Sequence, residues 1–111
     1  MANIFIITNG YSITPEHKRV LEAFNLMAEK TMEVKEIEHF YYGSSLIMSS
    51  VRLVGGSYGH FNITANRVSF NGHTCSTEEH KLFTELTYRD ELFNGKLGGY
   101  LQWQYHNSMT W

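Results

Sequence analysis

The sequence predicts one α+β domain over residues 1–111: a mixed or antiparallel sheet of about four to six strands with two main helices packed on it. Three stretches predict it. Residues 61–95 place two alternating runs, Phe61/Ile63 and Val68/Phe70, ahead of an amphipathic helix that opens on Ser76-x-x-Glu79 and stops at Asn94-Gly95. Thr14-Pro15-Glu16 opens a second helix, with Val20, Leu21, Phe24, Met27 and Ala28 on one stripe. Residues 100–106 alternate Leu101, Trp103 and Tyr105 against Gln102, Gln104 and His106, the pattern of a half-buried strand.

Taken in order, Ile4-Phe5-Ile6-Ile7 is apolar without alternation, which suits a central strand covered on both faces. Asn9-Gly10 ends it in a tight turn. The helix opened by Pro15 is expected to reach about Lys30 and to be followed by a strand, because residues 31–37 are β-compatible and helices average about 12 residues. The competing reading continues the helix to Tyr41, since Val34, Ile37 and Tyr41 extend its stripe. From His39 to Asn66 the only formally charged side chain is Arg52. Within that segment residues 44–54 suit either a strand pair or a short helix, and Gly55-Gly56 reads as a turn. Asn71-Gly72 is likewise read as turn chemistry. In the second helix Leu82, Leu86 and Phe93 share a stripe flanked by Phe83 and Leu92, with Arg89 near its middle. Residues 14–22 and 77–85 share a Thr-x-Glu-His-Lys-x-x-x-Glu pattern, but their apolar stripes do not align, so common helix-start grammar explains the match.

Composition excludes several classes. The chain has 111 residues, 42% hydrophobic and 18% charged, enough apolar content to fold around one core. Nine Lys and Arg against eleven Asp and Glu, spread evenly, leave no basic track for nucleic acid. The single cysteine, Cys75, cannot form an intrachain disulfide. The amino-terminal apolar run is only four residues long and has no basic lead, so neither a signal peptide nor a membrane span is expected, and the chain is expected to be cytoplasmic. The Asn62-Ile63-Thr64 sequon then reads as ordinary strand sequence.

Candidate chemistry is thin. His73, Cys75, Glu79 and His80 are the densest set of metal-ligand types, but their spacing matches no standard zinc pattern. A Cys–His nucleophilic pair could use the same residues and has no local signature. Gly55-Gly56-Ser57-Tyr58-Gly59-His60 lacks the lysine of a phosphate-binding loop. His17, one turn before Leu21, reads as a packing residue at the edge of a core. The pattern from Phe61 to Leu86 resembles the opening of the winged-helix DNA-binding domains of response regulators, which would imply a DNA-binding regulator. That family's basic recognition helix and wing are missing, since only Arg89 and Lys96 are basic after Lys81.

The remaining signal is aromatic. Seven of the nine Tyr and Trp residues (Tyr41, Tyr42, Tyr58, Tyr100, Trp103, Tyr105, Trp111) fall in two stretches nearly free of charge, the composition of interface cores. The expectation is therefore a non-enzymatic protein-binding module, a small inhibitor or adaptor like those that phages direct at host machinery. Its contact residues are expected to be Tyr41, Tyr42, Tyr100, Gln102, Gln104 and Trp111. The partner is expected to be another protein or a second copy, with no cofactor, no membrane and no nucleic acid. A metal-dependent or Cys–His enzyme at His73, Cys75 and His80 is the rival from another class.

Overall fold

The computed structural model describes residues 2–43, 46–65 and 67–92, without the side chains of residues 73 and 88–92. Strand β1 (Asn3–Ile7) ends in a turn in which Asn9 and Gly10 both take positive φ (51° and 89°) and the Tyr11 N–H donates to the Thr8 carbonyl at 3.0 Å. Asparagine and glycine tolerate that left-handed pair better than other residues. Helix α1 (Pro15–Thr31) starts on Thr14, whose hydroxyl accepts the His17 N–H, with Pro15 in the first turn. It ends where strand β2 (Val34–Tyr41) begins, so the helix does not run on to Tyr41.

Strands β3 (Ile47–Leu53), β4 (Tyr58–Ile63) and β5 (Val68–Thr74) follow as an antiparallel meander, and helix α2 (Thr77–Leu92) closes the described chain. The sheet order is β1-β2-β3-β4-β5, with β1 parallel to β2 and every other pair antiparallel. The fold is α+β with a mixed sheet. Residues 44–54, read as a strand pair or a helix, supply the single strand β3. Gly55-Gly56 is the β3–β4 turn, with Gly56 at φ +98° and its N–H bonded to the Leu53 carbonyl. Asn71-Gly72 is not a turn. It lies inside β5, where Gly72 pairs with His60 and Phe70 with Phe61, so Asn71 is the extra residue of a β-bulge. The reversal instead uses residues 64–67, where the Thr64 N–H donates to the Arg67 carbonyl at 2.8 Å.

Both helices lie on one face of the sheet, α1 against β2, α2 against β5, and each against the other. That face supplies Ile37, His39 and Tyr41 from β2, Ile47, Ser49, Val51 and Leu53 from β3, and Phe61, Ile63 and Val68 from β4 and β5, all buried. From the helices come Val20, Leu21, Phe24, Met27, Ala28, Phe83 and Leu86. The apolar stripe of α2 is thus centred on Phe83 and Leu86, with Leu82 only partly buried. Gly59 makes room for it: a Cβ there would sit 3.1 Å from ring atoms of both Phe70 and Phe83. The opposite face carries Glu36, Glu38, Phe40, Met48, Ser50, Tyr58 and Asn62 half-buried, with Arg52 and His60 exposed.

The start of α2 is a reciprocal cap. The Ser76 N–H donates to Glu79 Oε1 at 2.8 Å, and the Glu79 N–H donates to Ser76 Oγ at 3.2 Å. Ser76→Ala is expected to lower stability by about 1 kcal/mol, read as a shift in the urea midpoint. An unchanged midpoint would mean that solvent serves the helix start equally well.

Candidate functional site

Among the described residues β1 is the edge strand of the sheet, not the covered central strand expected, and Ile4, Phe5, Ile6 and Ile7 are 39–48% exposed. The apolar run is two-faced as its sequence requires, but the helices lie over β2 and β5 and leave β1 without a second layer among the described residues. Register places Ile4 and Ile6 beside Ile37 and His39 on the helix side, and Phe5 and Ile7 beside Glu38 and Phe40 on the other. No charge or proline guards this strand, as edges normally require.

Two aromatic side chains extend the patch beyond the end of β1. Tyr11 is 56% exposed and Tyr42 59%. Tyr11 lies beside Gly43, the residue after Tyr42: a Cβ on Gly43 would lie 3.8 Å from the Tyr11 ring. Gly43 takes φ +95°, which turns the chain back there. Tyr41, expected at the contact surface, is instead core at 2% exposure, its ring edge-on to Tyr11 and to His17 at 6.4 and 5.5 Å. The two-residue period of β2 decides this: Ile37, His39 and Tyr41 point inward, and Tyr42 is left outside. Tyr100, Gln102, Gln104 and Trp111 lie outside the described residues, as does the stop at Asn94-Gly95. The residues that sequence reasoning missed are Tyr11 and the β1 side chains themselves.

Of the metal and nucleophile candidates, Cys75, Glu79 and His80 have described side chains. Among the described residues no group of three or more His, Cys, Asp and Glu is placed to hold a metal. Cys75 follows β5 and packs partly buried against the core. Burial, and next the Glu79 carboxylate, push its thiol above the ordinary value, away from the thiolate that both zinc binding and nucleophilic attack need. The Glu79 carboxylate is held below its ordinary value, first by the backbone N–H of Ser76 and then by the Ser57 side chain. The exposed His80 lies with its ring centre 5.3 Å from that of Phe70. For His73 only the backbone, within β5, is described.

A second polar group was invisible in the sequence. His39 Nδ1 lies 2.5 Å from Ser49 Oγ, and its Nε2 lies 2.7 Å from Asn25 Oδ1. A neutral ring fits both contacts: Nε2–H donates to the amide oxygen and Nδ1 accepts from the Ser49 hydroxyl. Hydroxyl, imidazole and amide have the order of a hydrolytic triad. But His39 is fully buried and Ser49 is 3% exposed, so a substrate has no route to the oxygen. Burial pushes the His39 pKa down to about 4, the signature of an internal polar link between α1, β2 and β3.

On the open sheet face the described side chains of β2–β4 pair charges of opposite sign. Glu36 and Glu38 face Arg52 across β2–β3, and Arg52 lies over the Tyr58 ring, 5.3 Å from its centroid. Chiefly through its hydrogen bond with Glu36, the Glu38 carboxyl sits above its ordinary value. The mixture of signs makes no phosphate track. No helix of the described residues is long and apolar enough to cross a membrane. No protein-family profile, no curated protein and no solved structure matches this chain.

Proposed function

We propose that the protein is a non-enzymatic protein-binding module, a small inhibitor or adaptor that acts by occupying the surface of a partner protein. The observation that supports this reading is the pair Tyr11 and Tyr42, both more than half exposed, at the end of the apolar edge strand β1. Tyrosine is the residue expected at a contact centre, because it offers a large rigid apolar body and one polar handle at low entropic cost. The described His39 and Cys75 favour this reading over a hydrolytic one. His39 is buried, and burial and the Glu79 carboxylate raise the pKa of the Cys75 thiol, against the ionisation a nucleophile needs.

The test uses the tagged full chain as bait, followed by calorimetry between the captured protein and the purified chain. Truncation of a central aromatic anchor typically costs about 2 kcal/mol, so Tyr11→Ala with Tyr42→Ala is expected to weaken affinity at least about thirtyfold. Both side chains are exposed, so the urea midpoint is expected to stay within about 0.5 kcal/mol of the parent. Unchanged affinity in the double variant would remove this face from the interaction.

A further inference from the structure

We propose that β1 is an interface between two copies of this chain: the two β1 strands pair antiparallel across a two-fold axis at Phe5 and join two five-stranded sheets into one. The pairing stands apart from the function proposed above, which rests on Tyr11 and Tyr42.

The backbone of β1 sets what can pair with it. The Tyr42 N–H donates to the Leu46 carbonyl at 3.0 Å, so Tyr42 aims its backbone at β3. Backbone direction alternates along a strand, so Phe40 and Glu38 aim there too, while Tyr41, His39 and Ile37 aim at β1. In a parallel pair, the residue opposite one that aims inward aims outward. Ile4 lies opposite Ile37, and Ile6 opposite His39. The N–H and C=O groups of Ile4 and Ile6 therefore point away from the sheet, and those of Phe5 and Ile7 point at β2. Among the described residues the outward groups meet no other strand.

An antiparallel copy answers that row residue for residue. With the two Phe5 residues opposite each other, Ile4 stands opposite the copy's Ile6, and Ile6 opposite its Ile4. These are the residues whose groups point outward, so each such pair exchanges two hydrogen bonds, about four in all. Asn3 is matched with the copy's Ile7, so the whole of β1 is used. The contact is isologous and closes on itself, leaving no β1 edge for a third chain.

Side chains and charge agree with this register. Ile4 and Ile6, on the helix side, are 41% and 45% exposed, and Phe5, on the open face, is 48% exposed. Pairing sets isoleucine against isoleucine on one face and ring against ring on the other. β1 has no charged side chain. Glu38 lies beside Phe5 one strand in, so the two Glu38 residues stand about 14 Å apart, beyond the screening length of about 8 Å at physiological salt.

Area sets the strength. The exposed surface of these four side chains and of the strand's backbone edge comes to roughly 500 Å² a chain, or about 1,000 Å² for the pair, the low end for a specific interface. A reversible dimer is expected, with a Kd of about 1–100 μM. Tyr11 and Tyr42 lie beyond the Ile7 end, outside the matched residues, so the dimer carries them twice; any gain in avidity from that rests on the proposed function.

Hydrogen exchange and sedimentation of the isolated full chain test the proposal with no other protein present. From about 5 μM to about 1 mM the chain is expected to pass from monomer to dimer, and exchange of the Ile4 and Ile6 amides to slow at least about threefold while Phe5 and Ile7 stay protected throughout. A monomer at every concentration overturns the proposal; Ile4 and Ile6 amides that are slow in that monomer would show the edge covered from within the chain. Phe5→Lys places two ammonium groups at the axis and is expected to raise the Kd at least about tenfold. A dimer indifferent to that substitution uses another surface, and the proposal fails. If Phe5→Lys does not fold, Ile6→Pro replaces it, since it deletes an outward donor and spares the ladder to β2. The Tyr11→Ala, Tyr42→Ala variant is expected to dimerise like the parent, so its loss of partner binding has no bearing on this result.

Discussion

Phe61→Ala is expected to remove about 4 kcal/mol of stability, measured as the loss in unfolding free energy from urea titration at neutral pH. Phe61 is fully buried, and its ring centre lies 5.2 Å from Phe24 of α1, 5.2 Å from Phe70 of β5 and 5.7 Å from Phe83 of α2. Three elements therefore lose their common contact at once. The surrounding rings cannot close the void, because each is also held by its own helix or strand. Small domains are stable by only about 5–15 kcal/mol in total, so the variant should be near its limit at 37 °C. Phe61→Leu, which keeps most of the volume, is expected to cost less than half as much. A loss below about 1 kcal/mol for the alanine variant would show that β4 does not carry the core.

Acid should act through His39. Its folded pKa is pushed down to about 4, whereas an exposed histidine in the unfolded chain titrates near 6.5. Between those values the unfolded chain binds the proton and the folded chain does not. Stability is therefore fully present above about pH 6.5 and falls as pH drops toward 4, by about 3 kcal/mol. Urea titrations across that interval check the slope, and His39→Gln should flatten it. Glutamine carries both a donor and an acceptor for Asn25 and Ser49 and does not titrate. If the variant keeps the parent's slope, the proton is taken up elsewhere.

How much of this could be read from the residues depends on the range of the cause. The caps of both helices were legible, because Thr14-Pro15 and Ser76-x-x-Glu79 act within one turn. So was the end of α1 before β2, and the turns at Asn9-Gly10 and Gly55-Gly56. Asn71-Gly72 misled because the same backbone freedom serves a bulge as well as a turn, and only the partner strand's register separates them. Alternation along β2 held the answer for Tyr41 and Tyr42 once Ile37 was taken as buried. The position of β1 was not legible, since an uncharged apolar run states what a strand needs and not where the other elements go. The His39 link needs α1, β2 and β3 together, with Ser49 opposite His39, and no local pattern announces that.

The parallel pairing of β1 has a consequence for synthesis. Residues 8–33 separate β1 from the strand that holds it, so a growing chain displays Ile4-Phe5-Ile6-Ile7 well before β2 leaves the ribosome. A charge-free run of high β-propensity, waiting unpaired, finds identical runs on neighbouring nascent chains as readily as its own partner. Recovery of native product is then expected to depend on how soon β2 follows β1, as well as on the stability of the finished fold.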